Sequence, residues 1–232
     1  MIAFEELYER AAERKGGPAE LEKQLPKPKS ANALARTPDD RWLSAMSKIV
    51  FQAGFNWQVV DNKWPGFEEA FDGFDPAGCA AFDDDRIDAL LKDTRIIRNG
   101  AKVLSVRANA VFLRELAAEH GSAGRCFGDW PAEDFIGLLA LLKKRASRLS
   151  GRSAQYFLRT MGKDGFIISP DMATALIREG VVTKDPTSQR DLKAVQEAFN
   201  TWRAESDRPI TQISRVLAMT VEREMPEGRV RL

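Results

Sequence analysis

Leu149–Leu176, "LSGRSAQYFLRTMGKDGFIISPDMATAL", contains two helix starts of different kinds. The first is a tight turn around Gly151 between two helical patterns. A helix that begins there presents free backbone N–H groups and a positive helix end, a combination that binds phosphate. Arg148 and Arg152 flank the turn, Ser150 and Ser153 lie within it, and all can assist. The second start is "SPDMATALI". Ser169 suits the N-cap and Pro170 suits the first helical position, which puts Asp171 in the first turn. The helix dipole and the free N–H groups favour a carboxylate there.

Charge around the turn is one-sided. From Lys143 to Lys163 there are seven basic residues (Lys143, Lys144, Arg145, Arg148, Arg152, Arg159 and Lys163) and no acid, whereas "FDDDRIDALLKD", residues 82–93, is acidic. The chain as a whole has a net charge of only +1, so its polarity is local. The simplest reading of a basic run is a solvated helix face. A run this long without an acid also suits the neutralisation of phosphates.

Outward from this stretch the pattern is helical nearly throughout, and the fold class is all-α. "FEELYERAAER" is a short amphipathic helix, and residues 12–36 read as a mostly irregular arm rich in Pro and polar residues. Thr37 as N-cap and Pro38 at the first position open a helix with Trp42, Leu43, Met46, Ile49 and Val50 at apolar spacing. Asp75–Pro76 opens another. "TRIIRNGAKVLSVRANAVFLREL" is a hinge and a long helix, and two further helices follow Gly180. With 232 residues, the chain fits one domain or two intimate lobes.

Several chemistries have no support. The chain has one histidine, His120, and two cysteines, Cys79 and Cys126, far apart. A zinc site needs about four ligands at close spacing. No Gly-rich phosphate loop of the nucleotide-binding kinds occurs. His120 reads as a helix C-terminal residue rather than part of a Ser-His-Asp triad. No run approaches the roughly 18 apolar residues of a membrane span. Two cysteines do not make a disulfide framework, so a cytoplasmic, reduced protein is expected.

The constellation of basic hairpin and following Asp resembles the helix-hairpin-helix superfamily of DNA glycosylases. "LSGRSAQ" stands at the hairpin, with Ser153 where the superfamily has its second Gly, and Asp171 stands at its catalytic Asp. "FQAGFNWQVVDNKWPGFEEAFDGFDP" and "RIDALLKDTRIIRNGAKVLSVRANA" are similar to DNA-3-methyladenine glycosylase I, through its Gln-Ala-Gly-Leu-Ser-Trp, Phe-Asp-Pro and Ile-Ile-Arg…Lys patterns. Ile49 stands where that family has a base-recognising Glu, and the family's zinc-binding Cys and His have no counterparts.

The resemblance implies a two-lobed helical glycosylase spanning residues 1–232: an N-terminal helix and arm (1–36), a lobe with a base-pocket loop (37–125) and a helix-hairpin-helix lobe (126–232). It implies a monomer that acts on double-stranded DNA holding a damaged, alkylated base, with no cofactor, and works by excision at the N-glycosidic bond. The target nucleotide would be flipped out of the duplex. Gln52 would plug the gap, with Phe55 as the alternative wedge. Trp57 would stack on the flipped base, and Trp42 would form a second wall. Arg98, Asn99 and Lys102 would touch the DNA backbone or line the pocket. Asp171 would support the cationic sugar or orient a water. Superfamily members that also cut the strand place a Lys where this chain has Gln155, so the implied enzyme is monofunctional. A DNA-damage-binding protein without catalysis would keep the hairpin and the wedge without needing Asp171. An all-α interaction protein would need neither.

Overall fold

The computed structural model describes residues 1–221, and among them it holds α-helices and short 3₁₀ turns but no strand. In chain order the α-helices are α1 (Phe4–Lys15), α2 (Pro18–Glu22), α3 (Ala31–Ala35), α4 (Asp39–Gln52), α5 (Trp57–Ala70), α6 (Pro76–Ala80) and α7 (Asp84–Lys92). They continue as α8 (Gly100–His120), α9 (Ala123–Asp129), α10 (Phe135–Arg145), α11 (Gly151–Met161), α12 (Pro170–Arg178), α13 (Gln189–Ser206) and α14 (Ile210–Met219). The chain divides into two compact units. One runs from Pro28 to Asp164. The other joins Met1–Lys27 to the residues from Gly165 onward.

In the 28–164 unit, α4 supplies the core stripe. Trp42, Leu43, Met46, Ile49, Val50 and Phe51 are all buried, at the spacing that puts them on the inward face of one helix. Trp42 is 0% exposed, packs on Phe127 at 4.7 Å and Phe157 at 5.8 Å, and donates its indole N–H to the Thr37 carbonyl at 3.2 Å. It is therefore a core residue and not a pocket wall. An amphipathic helix shows the same Trp spacing in either role.

Two local details were not expected. The arm between α1 and α4 is mostly irregular but holds two five-residue helices, α2 and α3. The α3 segment packs against α9, where Gly124 and Gly128 lie one helical turn apart. A Cβ on Gly124 would meet the Leu34 carbonyl oxygen at 2.6 Å, and one on Gly128 would meet that of Ala31 at 2.7 Å. This backbone-on-backbone packing tolerates only glycine. Next, Pro38 rather than Thr37 caps α4. The Thr37 hydroxyl instead donates back to Ala33 at 3.1 Å and closes α3.

The other unit packs α1 against α13 and α14, and α12 against α14. Phe166 stacks on Phe199 at 4.9 Å, and Phe199 meets Trp202 edge-on at 5.5 Å. Arg178 reaches from α12 to the Thr220 carbonyl and hydroxyl, at 3.0 and 2.7 Å. α12 is thereby fixed on α14 at its C-terminal end.

Candidate functional site

The 28–164 unit holds an open cavity of about 530 Å³ between α4, α5 and α11. Its aromatic lining is Trp57, Trp64 and Tyr156. Trp57 opens α5, capped by Asn56, whose side chain accepts from the Gln58 N–H at 2.9 Å. The indole is 50% exposed and meets Tyr156 edge-on at 5.7 Å, so a flat guest can stack on its face.

Trp64 is fixed by a polar network that sequence reasoning missed. Glu68 accepts from the two terminal guanidinium nitrogens of Arg41 at 3.0 and 2.9 Å, from Ser44 at 2.6 Å and from the Trp64 indole N–H at 3.2 Å. Burial works against the charged form of Glu68, but the bonds from Arg41, Ser44 and Trp64 together outweigh it and hold the carboxyl below its ordinary value. The two rings of Trp64 and Phe67 stack at 4.9 Å, which completes that wall.

Gln52 does not protrude. It is buried at 6% exposure in the cavity wall, with its amide donating to Asp61 Oδ1 at 3.1 Å. The projecting side chain of the following loop is Phe55, 42% exposed. Of the two wedge candidates, Phe55 projects and Gln52 does not.

Lys102 is likewise not a surface contact. It is 6% exposed, and its ammonium donates to the Phe51 carbonyl at 3.1 Å and the Ala53 carbonyl at 2.7 Å. These are C-terminal carbonyls of α4 that the helix itself leaves unpaired. The same ammonium lies 4.3 Å from the Phe55 ring centroid. Burial, and next the neighbouring charge of Arg148, push the Lys102 pKa down. Lys102 thus shapes the loop that carries Phe55. Asn99 caps α8, accepting from the Lys102 N–H at 3.2 Å, while Arg98 is exposed.

The hairpin joins α10 to α11, and α11 begins at Gly151 as its sequence demands. Gly151 has φ +53°, and Arg148 adopts φ +60°, a conformation that costs a non-glycine residue about 1 kcal/mol or more. Arg148, Ser150, Gly151 and Arg152 are exposed, and Ser153 is half-buried. Fully buried Asn109 clamps the turn, donating to the Ser147 carbonyl at 3.1 Å and accepting from the Ser147 N–H at 2.7 Å. The basic run is thinner than it reads. Arg145 is tied to Glu115 and Glu119 of α8, and the buried Lys163 ammonium is bonded to the carbonyls of Gly128 and Trp130.

In the other unit, Ser169 caps α12, accepting from the Met172 N–H at 3.2 Å, with Pro170 in the first turn. Asp171 follows, half-buried, in the first turn of α12. The extended segment before it is fastened to α14. Thr211 Oγ1 accepts from the Gly165 N–H and donates to the Gly165 carbonyl, both at 3.2 Å, and Ser214 Oγ accepts from the Ile167 N–H at 3.2 Å.

A zinc site does not fit these residues. Both cysteines are buried, the Cys79 thiol donates to the Phe71 carbonyl, and burial pushes its pKa up to about 12. Among the described residues no three His, Cys, Asp or Glu are grouped to hold a metal.

Helical architecture, aromatic cavity and basic hairpin define a helical DNA glycosylase of the base-excision type. The methyladenine glycosylase family pattern matches residues 36–166, more than half of the chain, and the chain belongs to that family. Among solved structures it is similar to 8-oxoguanine DNA glycosylase from Methanocaldococcus jannaschii. The identity is 14%, 91% of this chain and 92% of the other are covered, and the TM-score is 0.54. The 8-oxoguanine glycosylase/lyase of the same organism, in complex with a 15mer DNA containing 8-oxoguanine, gives 13%, 92% and 95%, with a TM-score of 0.51. The 3-methyladenine DNA glycosylase I of Staphylococcus aureus gives 17%, 67% and 91%, with a TM-score of 0.47. The family match takes in the cavity and the hairpin and ends before Asp171.

Proposed function

We propose that the protein removes an alkylated base from double-stranded DNA and leaves the strand intact. The observation that carries this reading is the aromatic cavity of about 530 Å³ inside the family-matched segment, with exposed Phe55 on the loop that leads to it. A cavity of this size and lining accepts a single flat base. Phe55 fills the gap the base leaves, and the bent, opened duplex is held through its phosphates by the start of α11 with Arg148 and Arg152. Asp171 supplies the charge that stabilises the oxocarbenium-like sugar as the glycosidic bond breaks, and water completes the reaction. Gln155 stands where a strand-cutting enzyme has its Lys, and an amide cannot form the covalent sugar adduct.

The experiment is excision from a panel of duplexes, each holding one alkylated, deaminated or mismatched base. Excision of an alkylated base is expected. Asp171→Asn should fold and bind DNA while excision falls on the order of 10²-fold or more, since the amide keeps the helix start and loses the charge. Excision at the parental rate by that variant would remove Asp171 from the reaction. Borohydride should trap no protein–DNA adduct on an excised substrate. An adduct would show that a Lys amine acts and that the enzyme is not monofunctional.

A further inference from the structure

The cavity contains two carboxylates, and they are not equivalent. Glu68 accepts three hydrogen bonds at Oε1, from Arg41, Ser44 and Trp64, and one at Oε2, from Arg41, so most of its acceptor capacity is used within the wall. Its charge is already paired with the Arg41 guanidinium. Asp61 is different. It lies four residues after Trp57 on α5, so the two share one helix face. Its Oδ1 is gripped from two sides, by Lys48 Nζ at 2.9 Å and Gln52 Nε2 at 3.1 Å. Among the described residues none donates to Oδ2. The side chain is 42% exposed and lines the cavity.

Lys48 is itself placed by the cavity wall, 5.5 Å from the Trp64 ring centroid. The grip of Lys48 and Gln52 fixes the carboxylate plane before any guest arrives. Such preorganisation makes a hydrogen bond selective, because no side-chain ordering is left to offset it. Ile49, also in the lining, offers no polar atom.

We infer that Asp61 Oδ2 is the acceptor that reads an exocyclic amino group of an extruded base, and so favours a base that carries one at that edge over the same base without it. The inference rests on the base-excision reading above, and it adds the residue that chooses the base. The acceptor meets an N–H donor of the guest while Trp57 covers the ring face. A base with no amino group at that edge leaves the carboxylate unmatched, at the cost of its desolvation.

The test is a chemical double-mutant cycle on the full chain, with free 3-methyladenine and 3-methylpurine as probes, measured by calorimetry. The two ligands differ only in the exocyclic amine. Asp61→Asn retains an oxygen for Lys48 and Gln52 and turns Oδ2 into a donor. It should weaken 3-methyladenine roughly tenfold or more and leave 3-methylpurine within about twofold. Asp61→Ala should show the same selective loss, which guards against an artefact of the Asn rotamer. Equal weakening of both ligands would reduce Asp61 to a structural role and overturn the inference. So would unchanged affinity for 3-methyladenine, or a parent protein that binds neither ligand. Excision is scored separately. Selective binding through Asp61 in a protein that excises nothing would overturn the base-excision reading and leave Asp61 as the selector.

Discussion

The two units solve one problem with different chemistry. Each must hold irregular backbone in place beside a helix start, and each does so from the inward face of a single helix. In the cavity unit α8 does it with Lys102 and Asn109, seven residues or two turns apart on one face. Lys102 grips the end of α4 and the Phe55 loop, and Asn109 grips the hairpin turn. In the other unit α14 uses hydroxyls, Thr211 and Ser214, to hold residues 165–167 before Asp171. A hydroxyl suffices where the backbone lies against the helix. A long ammonium is needed where the carbonyls of another helix's last turn must be reached. The charged anchor makes stronger bonds but has to be buried, so it alone should respond to pH.

Breaking the charged anchor should have the largest effect. Lys102→Met keeps the apolar stem and removes two charge-assisted bonds to carbonyls. We expect a loss of about 3 kcal/mol in chemical denaturation, less whatever burial of the charge had cost. Excision should fall with it, because the Phe55 loop is released. The sign of the pH effect follows from the lowered pKa of Lys102. Between that value and the ordinary 10.5 the unfolded chain holds more protons than the folded one, so stability from this group rises with pH in that interval. Lys163 is shifted the same way in parent and variant and cancels in the difference. The parent's advantage over Lys102→Met should therefore grow as pH approaches 10.5 from below. An advantage that shrinks there would show that Lys102 is not a buried ammonium.

The hydroxyl anchor should cost less. Thr211→Val preserves shape and removes the pair of bonds to Gly165, worth about 1–2 kcal/mol. Its signature should be a fall in excision with DNA affinity retained, since residues 165–169 lead into Asp171 and not into the hairpin. Reduced DNA binding with normal excision of bound substrate would reverse the assignment of the two anchors.

What could be read in the sequence was what is local. Ser169, Pro170 and Asp171 state a helix start within three residues, and Gly151 states a turn on its own. The anchors could not be read, because Lys102 meets carbonyls 49 and 51 residues away and Asn109 meets a turn 38 residues away. The same distance misled the reading of the basic run. Its Arg145 is neutralised by acids 26 and 30 residues upstream on α8, which no local window contains. Trp42 and Trp57 illustrate a different failure. Both are tryptophans on adjacent helices of a recognisable motif, yet only the packing of Phe127 and Phe157 decides that the first is core. Asp61 and Glu68, four and eleven residues past Trp57, carry no signal of their own until Arg41, Ser44, Lys48 and Gln52 are brought to them.

The hairpin turn offers the smallest effect and the finest distinction. Arg148 holds φ +60° without being glycine, so the turn stores strain at a residue that is also exposed and basic. Arg148→Gly relieves about 1 kcal/mol of strain and gives back roughly as much in unfolded-state entropy, so stability should change by no more than a few tenths of a kcal/mol. Affinity for DNA should nonetheless fall for all duplexes alike, and the slope of log K against log salt should flatten by about 0.9, the loss of one phosphate contact. Removing Arg148 also takes away the charge that helps to lower the Lys102 pKa, so the variant should narrow the pH interval described above. A marked gain in stability with an unchanged salt slope would mean that Arg148 is retained for the turn and not for the phosphate.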